Sequence, residues 1–148
     1  MSACVVGLGQ EAGGDDAVGL VVVRAVSALA PSIATVLARD ASELVDILMT
    51  PGRVVLVDAV VGAGSPGRVF QLDPDALADG PSPVSSHMVP VAQALRLARA
   101  LTADGVGPSI RIVGISIDRP EPLSSGLSPA VLAAVQPAAD LVLTLVRE

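Results

Sequence analysis

Residues Val5–Val26 read VVGLGQEAGGDDAVGLVVVRAV: a short β-branched run, a glycine-rich turn, and then apolar residues on a different period. Val18, Val21, Val22, Ala25, Val26 and Leu29 keep the i, i+3, i+4 spacing of one helix face, and Pro31 stops that helix because it lacks an N–H and its ring crowds the turn before it. A strand passing through a tight turn into a helix is the opening half of a βαβ unit. Gly7, Gly9 and Ala12 also satisfy G-x-G-x-x-A, the pattern that cradles a dinucleotide pyrophosphate. Glu11, Asp15 and Asp16 oppose that use, since carboxylates beside phosphates repel them. The helical rhythm also begins only near Asp15, whereas a pyrophosphate needs helix N–H groups directly after Gly9. Asp40 lies at a tolerable distance to hold a ribose, so a dinucleotide-binding module remains as an alternative that the charges disfavour.

The same alternation continues along the chain. Runs rich in β-branched residues predict further strands at Ala34–Ala38, Arg53–Asp58, Arg68–Leu72 and Ile110–Ile117, after a first at Ala3–Leu8. Between them, Leu44, Ile47 and Leu48 mark a short helix before Pro51-Gly52, and Met88, Val91, Leu95 and Ala98 mark a third helix that Ser85 or Ser86 would cap. The last helix opens with Ser128 as N-cap and Pro129 at its first position, and Pro137 should kink it. Strands alternating with helices predict a mostly parallel sheet covered on both faces, a three-layer αβα sandwich forming a single domain over residues 1–148. Asp73–Ser86, DPDALADGPSPVSS, reads as a long surface loop.

Composition narrows the class. The 51% apolar content comes almost wholly from Val, Leu, Ile and Ala, with one Phe and no Trp or Tyr, so the core must be aliphatic. All nine basic residues are Arg, and against fifteen acids they leave a net charge of −6, which argues against a broad nucleic-acid or anionic-membrane surface. A single cysteine, Cys4, rules out an internal disulfide and sits where a small buried hydrophobe belongs. Leu20–Val23 and Leu141–Val146 are far shorter than a membrane span, and Met1-Ser2-Ala3 lacks the basic start of an export signal. A soluble, cytoplasmic protein is expected, and a small domain without an aromatic patch is expected to be monomeric.

Ligands of open parallel sheets bind beyond the carboxyl ends of the strands, and the acids collect there. Asp15 and Asp16 follow the first strand, Asp40 follows the second, Asp58 closes the third, and Asp118 with Glu121 follow the last. Asp58 is surrounded by VVLVDAV, and a carboxylate in such a setting needs a cation or strong donors. The only histidine, His87, opens the third helix, where the helix dipole disfavours imidazolium and keeps the ring neutral. Two carboxylates and a neutral imidazole suit a borderline divalent ion such as Ni²⁺ or Zn²⁺, with coordination positions left open. Plainer roles compete: His87 as a capping or surface residue, Asp15 and Asp16 as dipole-favoured first-turn acids, and Asp40 as N-cap of the second helix with Glu43 completing a capping box. The glycines of GGDDAVG serve turn geometry or admit another molecule. Neither H-E-x-x-H nor G-x-S-x-G occurs, and Ser86 and His87, as helix neighbours, point apart.

Four stretches together, VVGLGQEAGGDDAVG, VVLVDAVVGAGSPG, SSHMVPVAQAL and VGISIDRPEPLSSGLSPAVLAAVQPA, resemble in order and spacing the hydrogenase maturation endopeptidases, across nearly the whole chain. The resemblance implies a twisted five-stranded sheet between helices. It implies an endopeptidase that removes the C-terminal extension of a nickel-loaded [NiFe]-hydrogenase large-subunit precursor. It further implies recognition of Ni²⁺ supplied by that precursor, with Zn²⁺ or Cd²⁺ able to substitute in vitro. The metal-recognising set falls on Asp16, Asp58 and His87, and Asp40 is similar to a further acid that positions substrate or water. Gln10 departs from the family's usual Asn, and DASELVDIL from its usual turn after the second strand, which puts partner choice and the part of Asp40 in question. Specificity is expected in the loops Gly62–Gly67 and Asp73–Ser86. A non-catalytic nickel-sensing chaperone or checkpoint protein is the alternative from another class.

Overall fold

The computed structural model describes residues 2–79, 89–102, 107–119 and 126–148. Its elements, in chain order, are β1 (Ala3–Leu8), α1 (Val18–Leu29), β2 (Ala34–Ala38), α2 (Leu44–Met49), β3 (Arg53–Val61), β4 (Val69–Leu72), α3 (Pro74–Asp79), α4 (Val89–Leu101), β5 (Ser109–Ile117) and α5 (Pro129–Val146). Single 3₁₀ turns at Gly14–Ala17 and Ala41–Glu43 lead into α1 and α2. The five strands form one sheet in the order β2-β1-β3-β5-β4. All neighbours run parallel except β4, which lies antiparallel on the edge of β5. The mostly parallel five-stranded α/β sheet with flanking helices is the architecture the sequence predicts.

Side-chain alternation divides the core in two. Along β3, Val55, Val57 and Ala59 face α1 and α5, meeting Val18, Val22, Val131 and Val142. Val54, Leu56 and Val60 face the opposite way, meeting Leu44, Leu48, Leu77 and Leu95 of α2, α3 and α4. A buried aliphatic side chain of this size contributes about 1.5–3 kcal/mol relative to an exposed one, so two full faces of Val and Leu replace the aromatic residues the chain lacks. Gly7 and Gly19 allow α1 to lie directly on the sheet. A Cβ at Gly19 would stand 2.4 Å from the Leu8 carbonyl oxygen and 2.6 Å from that of Val57, and one at Gly7 would stand 2.6 Å from the Gly19 oxygen.

Three local expectations are corrected. β3 does not close at Asp58 but pairs with β5 as far as Val61, because the apolar run continues through the acid. The segment expected as a loop from Asp73 contains α3 at Pro74–Asp79, whose Leu77 and Ala78 are buried against α4. Helix α5 runs on through Pro137, the position at which a kink is expected. Pro137 and Ala133, whose carbonyl loses its helical donor there, both lie on the exposed side, where water can satisfy the group. Ser128 does take the N-cap position, yet its side chain does not cap the helix. Helix α5 is also long and apolar enough to cross a membrane. Its buried stripe, Val131, Ala134, Ala138 and Val142, instead packs on α1 and the sheet.

Candidate active site

The candidate residues are carried to the carboxyl edge of the sheet by β1, β2 and β3. Asp58 stands inside β3, opposite Gly114 of β5 and one residue beyond the Val57–Gly7 pair with β1. Alternation turns it toward the face covered by α2, α3 and α4, and it is only 3% exposed. Its Oδ1 accepts a hydrogen bond from the Ala59 N–H at 2.8 Å. Among the described residues, Asp58 and Ser116 are the buried polar side chains. An aliphatic strand does not bury a carboxylate without compensation, because the charged form loses its water.

Asp16 lies in the 3₁₀ turn that follows β1. The turn folds back on itself through N–H groups of Gly13 and Asp16, which donate to the Gln10 and Gly13 carbonyls at 3.0 and 3.1 Å. It leans directly on Gly9, where a Cβ would be 2.4 Å from the Asp16 carbonyl oxygen. The space left by Gly7, Gly9 and Gly13 is thus filled by the chain itself, not kept for an incoming molecule. Since α1 begins only at Val18, after Asp15 and Asp16, its N-terminus is not presented to a phosphate in the manner of a dinucleotide site.

Asp15 has a part that sequence reasoning missed. Its Oδ1 accepts from the Ser128 N–H at 2.7 Å and its Oδ2 accepts from the Ser128 hydroxyl at 2.8 Å, joining the first turn to the start of α5. This explains why Ser128 leaves its own helix uncapped. No local pattern announces a contact between residues so far apart in sequence. Loss of this two-point, charge-assisted clasp in Asp15→Ala is expected to lower unfolding free energy by about 1–3 kcal/mol, and Ser128→Ala by about 1 kcal/mol, since the N–H donor survives. Urea unfolding checks both, and equal stability of all three proteins would contradict the assignment.

Asp40 is exposed. Its Oδ1 accepts from the Ser42 N–H at 2.9 Å and its carbonyl from the Glu43 N–H at 3.1 Å, so it caps the 3₁₀ turn Ala41–Glu43. Glu43 itself stands at the N-cap of α2 without a side-chain bond, and the predicted capping box with Asp40 does not form. Asp40, Ser42 and Val45 line a hollow of about 230 Å³ together with Pro90, Gln93 and Leu97, which brings the first turn of α4 beside the end of β2. His87, the helix-opening residues Ser85 and Ser86, and Glu121 lie outside the described residues. Asp118 is exposed beyond β5. The structure brings Asp16, Asp40 and Asp58 to one edge of the sheet; among the described residues no group of three or more His, Cys, Asp or Glu is close enough to hold a metal ion. Cys4 is half-buried at the opposite end of β1, and burial pushes its thiol pKa up, away from nucleophilic use.

A family model described as hydrogenase maturation protease matches residues 39–145, more than half of the chain. No curated protein matches the chain significantly in sequence. Among solved structures, the hydrogenase maturating endopeptidase HybD from E. coli is 26% identical over 99% of this chain and 93% of its own, with a TM-score of 0.80. The [NiFe] hydrogenase maturation protease HybD from Thermococcus kodakarensis is 25% identical over 99% of each chain, with a TM-score of 0.77. A hydrogenase 2 maturation peptidase from a Thaumarchaeota archaeon is 27% identical over 97% of each chain, with a TM-score of 0.65.

Proposed function

Because the chain belongs to the hydrogenase maturation protease family, we propose that it removes the C-terminal extension of a nickel-loaded [NiFe]-hydrogenase large-subunit precursor. The observation that carries this reading is Asp58: a carboxylate 3% exposed, set in an aliphatic strand at the carboxyl edge, where the turn bearing Asp16 leans over the same edge. Such a pair favours a cationic visitor, and the cation in this reading arrives with the substrate. Asp16 and Asp58 bind it as carboxylate ligands, and His87, placed in the set by its SSHMVP motif, adds a neutral nitrogen. Nickel held by these residues would supply the recognition signal, and would bring Lewis-acid chemistry to the site if it also met the scissile carbonyl. Asp40, beside the start of α4, positions the peptide or the attacking water. Zn²⁺ or Cd²⁺ replaces nickel in vitro, and the protein works in the cytoplasm as a monomer without nucleic-acid or membrane partners.

The test is incubation of the protein with precursor, with and without nickel, read by intact mass. Shortening of the nickel-loaded precursor alone is the expected result. Asp16→Asn and His87→Gln are expected to reduce that shortening at least about a hundredfold while their thermal transitions stay within a few degrees of wild type. Equal shortening of nickel-free precursor would remove nickel from the reading. Association without shortening would instead favour the chaperone or checkpoint alternative.

A further inference from the structure

Arg68 precedes β4 at the carboxyl edge, because β4 runs against the other strands. It is exposed, and its guanidinium carbon lies 5.1 Å above the centroid of Phe70, the chain's only aromatic residue. Its Nη1 donates to the Ala63 carbonyl at 2.9 Å across the turn that follows β3. That turn is itself held in place. The buried Ser116 hydroxyl donates to the Ser65 carbonyl and accepts from the Arg68 N–H at 2.8 Å, while the Gly67 N–H donates to the Ser116 carbonyl at 2.8 Å. Gly67 also backs onto α5, since a Cβ there would meet the Ala130 oxygen at 2.4 Å.

The seat under Arg68 is made by another missing side chain. A Cβ at Gly114 would lie 2.9 Å from the Phe70 ring, which therefore rests directly on β5. Asp58 and Phe70 are the two partners of Gly114, one on each side, and both lie on the α3 and α4 face. They are thus two strand spacings, about 10 Å, apart across the sheet, and Arg68 is about 7 Å nearer the rim. Arg53 and Arg96 donate to backbone carbonyls, and among the described residues three arginines are paired with acids: Arg24 with Glu11, Arg99 with Asp75 and Asp79, and Arg111 with Glu148. Among the described residues Arg68 has no such ion pair. A guanidinium stacked on an aromatic face and fixed by one backbone acceptor still presents N–H donors in a planar fork, the geometry that matches a carboxylate.

We propose that Arg68, seated on Phe70, is the docking point for a carboxylate of the precursor polypeptide and so helps to select the substrate. The proposal rests on the endopeptidase reading for the identity of the partner. The spacing to Asp58 corresponds to roughly three to five extended residues from the metal-bearing end. The carboxylate is either an acidic side chain at that distance or the carboxyl terminus of the extension.

The experiment measures precursor affinity and processing kinetics for wild type, Arg68→Ala and Arg68→Lys at low and moderate salt. Arg68→Ala is expected to weaken binding and raise KM by about tenfold or more with kcat within about twofold, and Arg68→Lys to recover only part, since it keeps charge without the fork. Precursors with individual acids changed to the amide, or with an amidated carboxyl terminus, distinguish the two sources. The right one costs wild type the same factor and costs Arg68→Ala nothing further. Unchanged affinity and KM in Arg68→Ala, or losses that simply add for every neutralised carboxylate, would overturn the proposal. A wild-type protein that binds the precursor without shortening it would overturn the endopeptidase reading, while the affinity comparison would still decide the part of Arg68. Failure to bind the precursor at all would overturn both.

Discussion

Asp58→Asn is expected to reduce shortening of the nickel-loaded precursor by about a thousandfold or more, with unfolding free energy within about 2 kcal/mol of wild type. The substitution keeps the shape of the side chain and the Oδ1 acceptor that receives the Ala59 N–H. What disappears is a carboxylate able to ligate a cation, and an ionised carboxylate in such a buried setting is costly to the fold unless it is compensated. A residue retained as one half of a stabilising buried pair would tolerate the amide poorly, and one retained to meet a cation would lose function first. Parallel time courses by intact mass and urea unfolding separate the two. Processing at the wild-type rate would end the role assigned to Asp58.

Gly19→Ala should show the opposite balance. Its new methyl would lie 2.4 Å from the Leu8 oxygen and 2.6 Å from the Val57 oxygen, both backbone atoms of central strands that have no rotamer through which to yield. Helix α1 would have to lift from the sheet, opening the Val18 and Val22 contacts with β1 and β3. The expected loss is about 3 kcal/mol or more, against a total of about 5–15 kcal/mol for a domain of ordinary stability. Gly107→Ala provides the control, because among the described residues a Cβ there meets only the Leu48 oxygen, at 3.8 Å. It should fall within about 0.5 kcal/mol of wild type. Chemical denaturation measures both, and equal midpoints for the two variants would refute the close-packing argument.

The contrast between these positions shows what the sequence makes legible. β-Branched runs and the i, i+3, i+4 rhythm locate β1, β2, α1 and α5 because burial on a strand or helix face imposes those periods directly. Asp58 reads as a terminus because charge usually ends a buried strand; only pairing with Ile115, Ser116 and Ile117 shows that β3 continues beyond it. PDALAD reads as loop because proline and aspartate open a helix as readily as they form a turn, and the burial of Leu77 that decides between them comes from α4. The reversed direction of β4 is invisible locally, since a short strand-like run such as RVFQL carries no signal of its direction. At the edge, residue types and spacing point to Asp16, Asp40 and Asp58, yet the neighbouring Asp15 looks identical to Asp16. Only the return of α5 to the first turn tells the two apart.

That return has a consequence in time. The donors that secure the earliest loop come from Ser128, so the turn that carries Asp15 and Asp16 gains this anchor only once the last helix has docked. Residues at opposite ends of the polypeptide thus meet in one contact, and the opening turn is finished last.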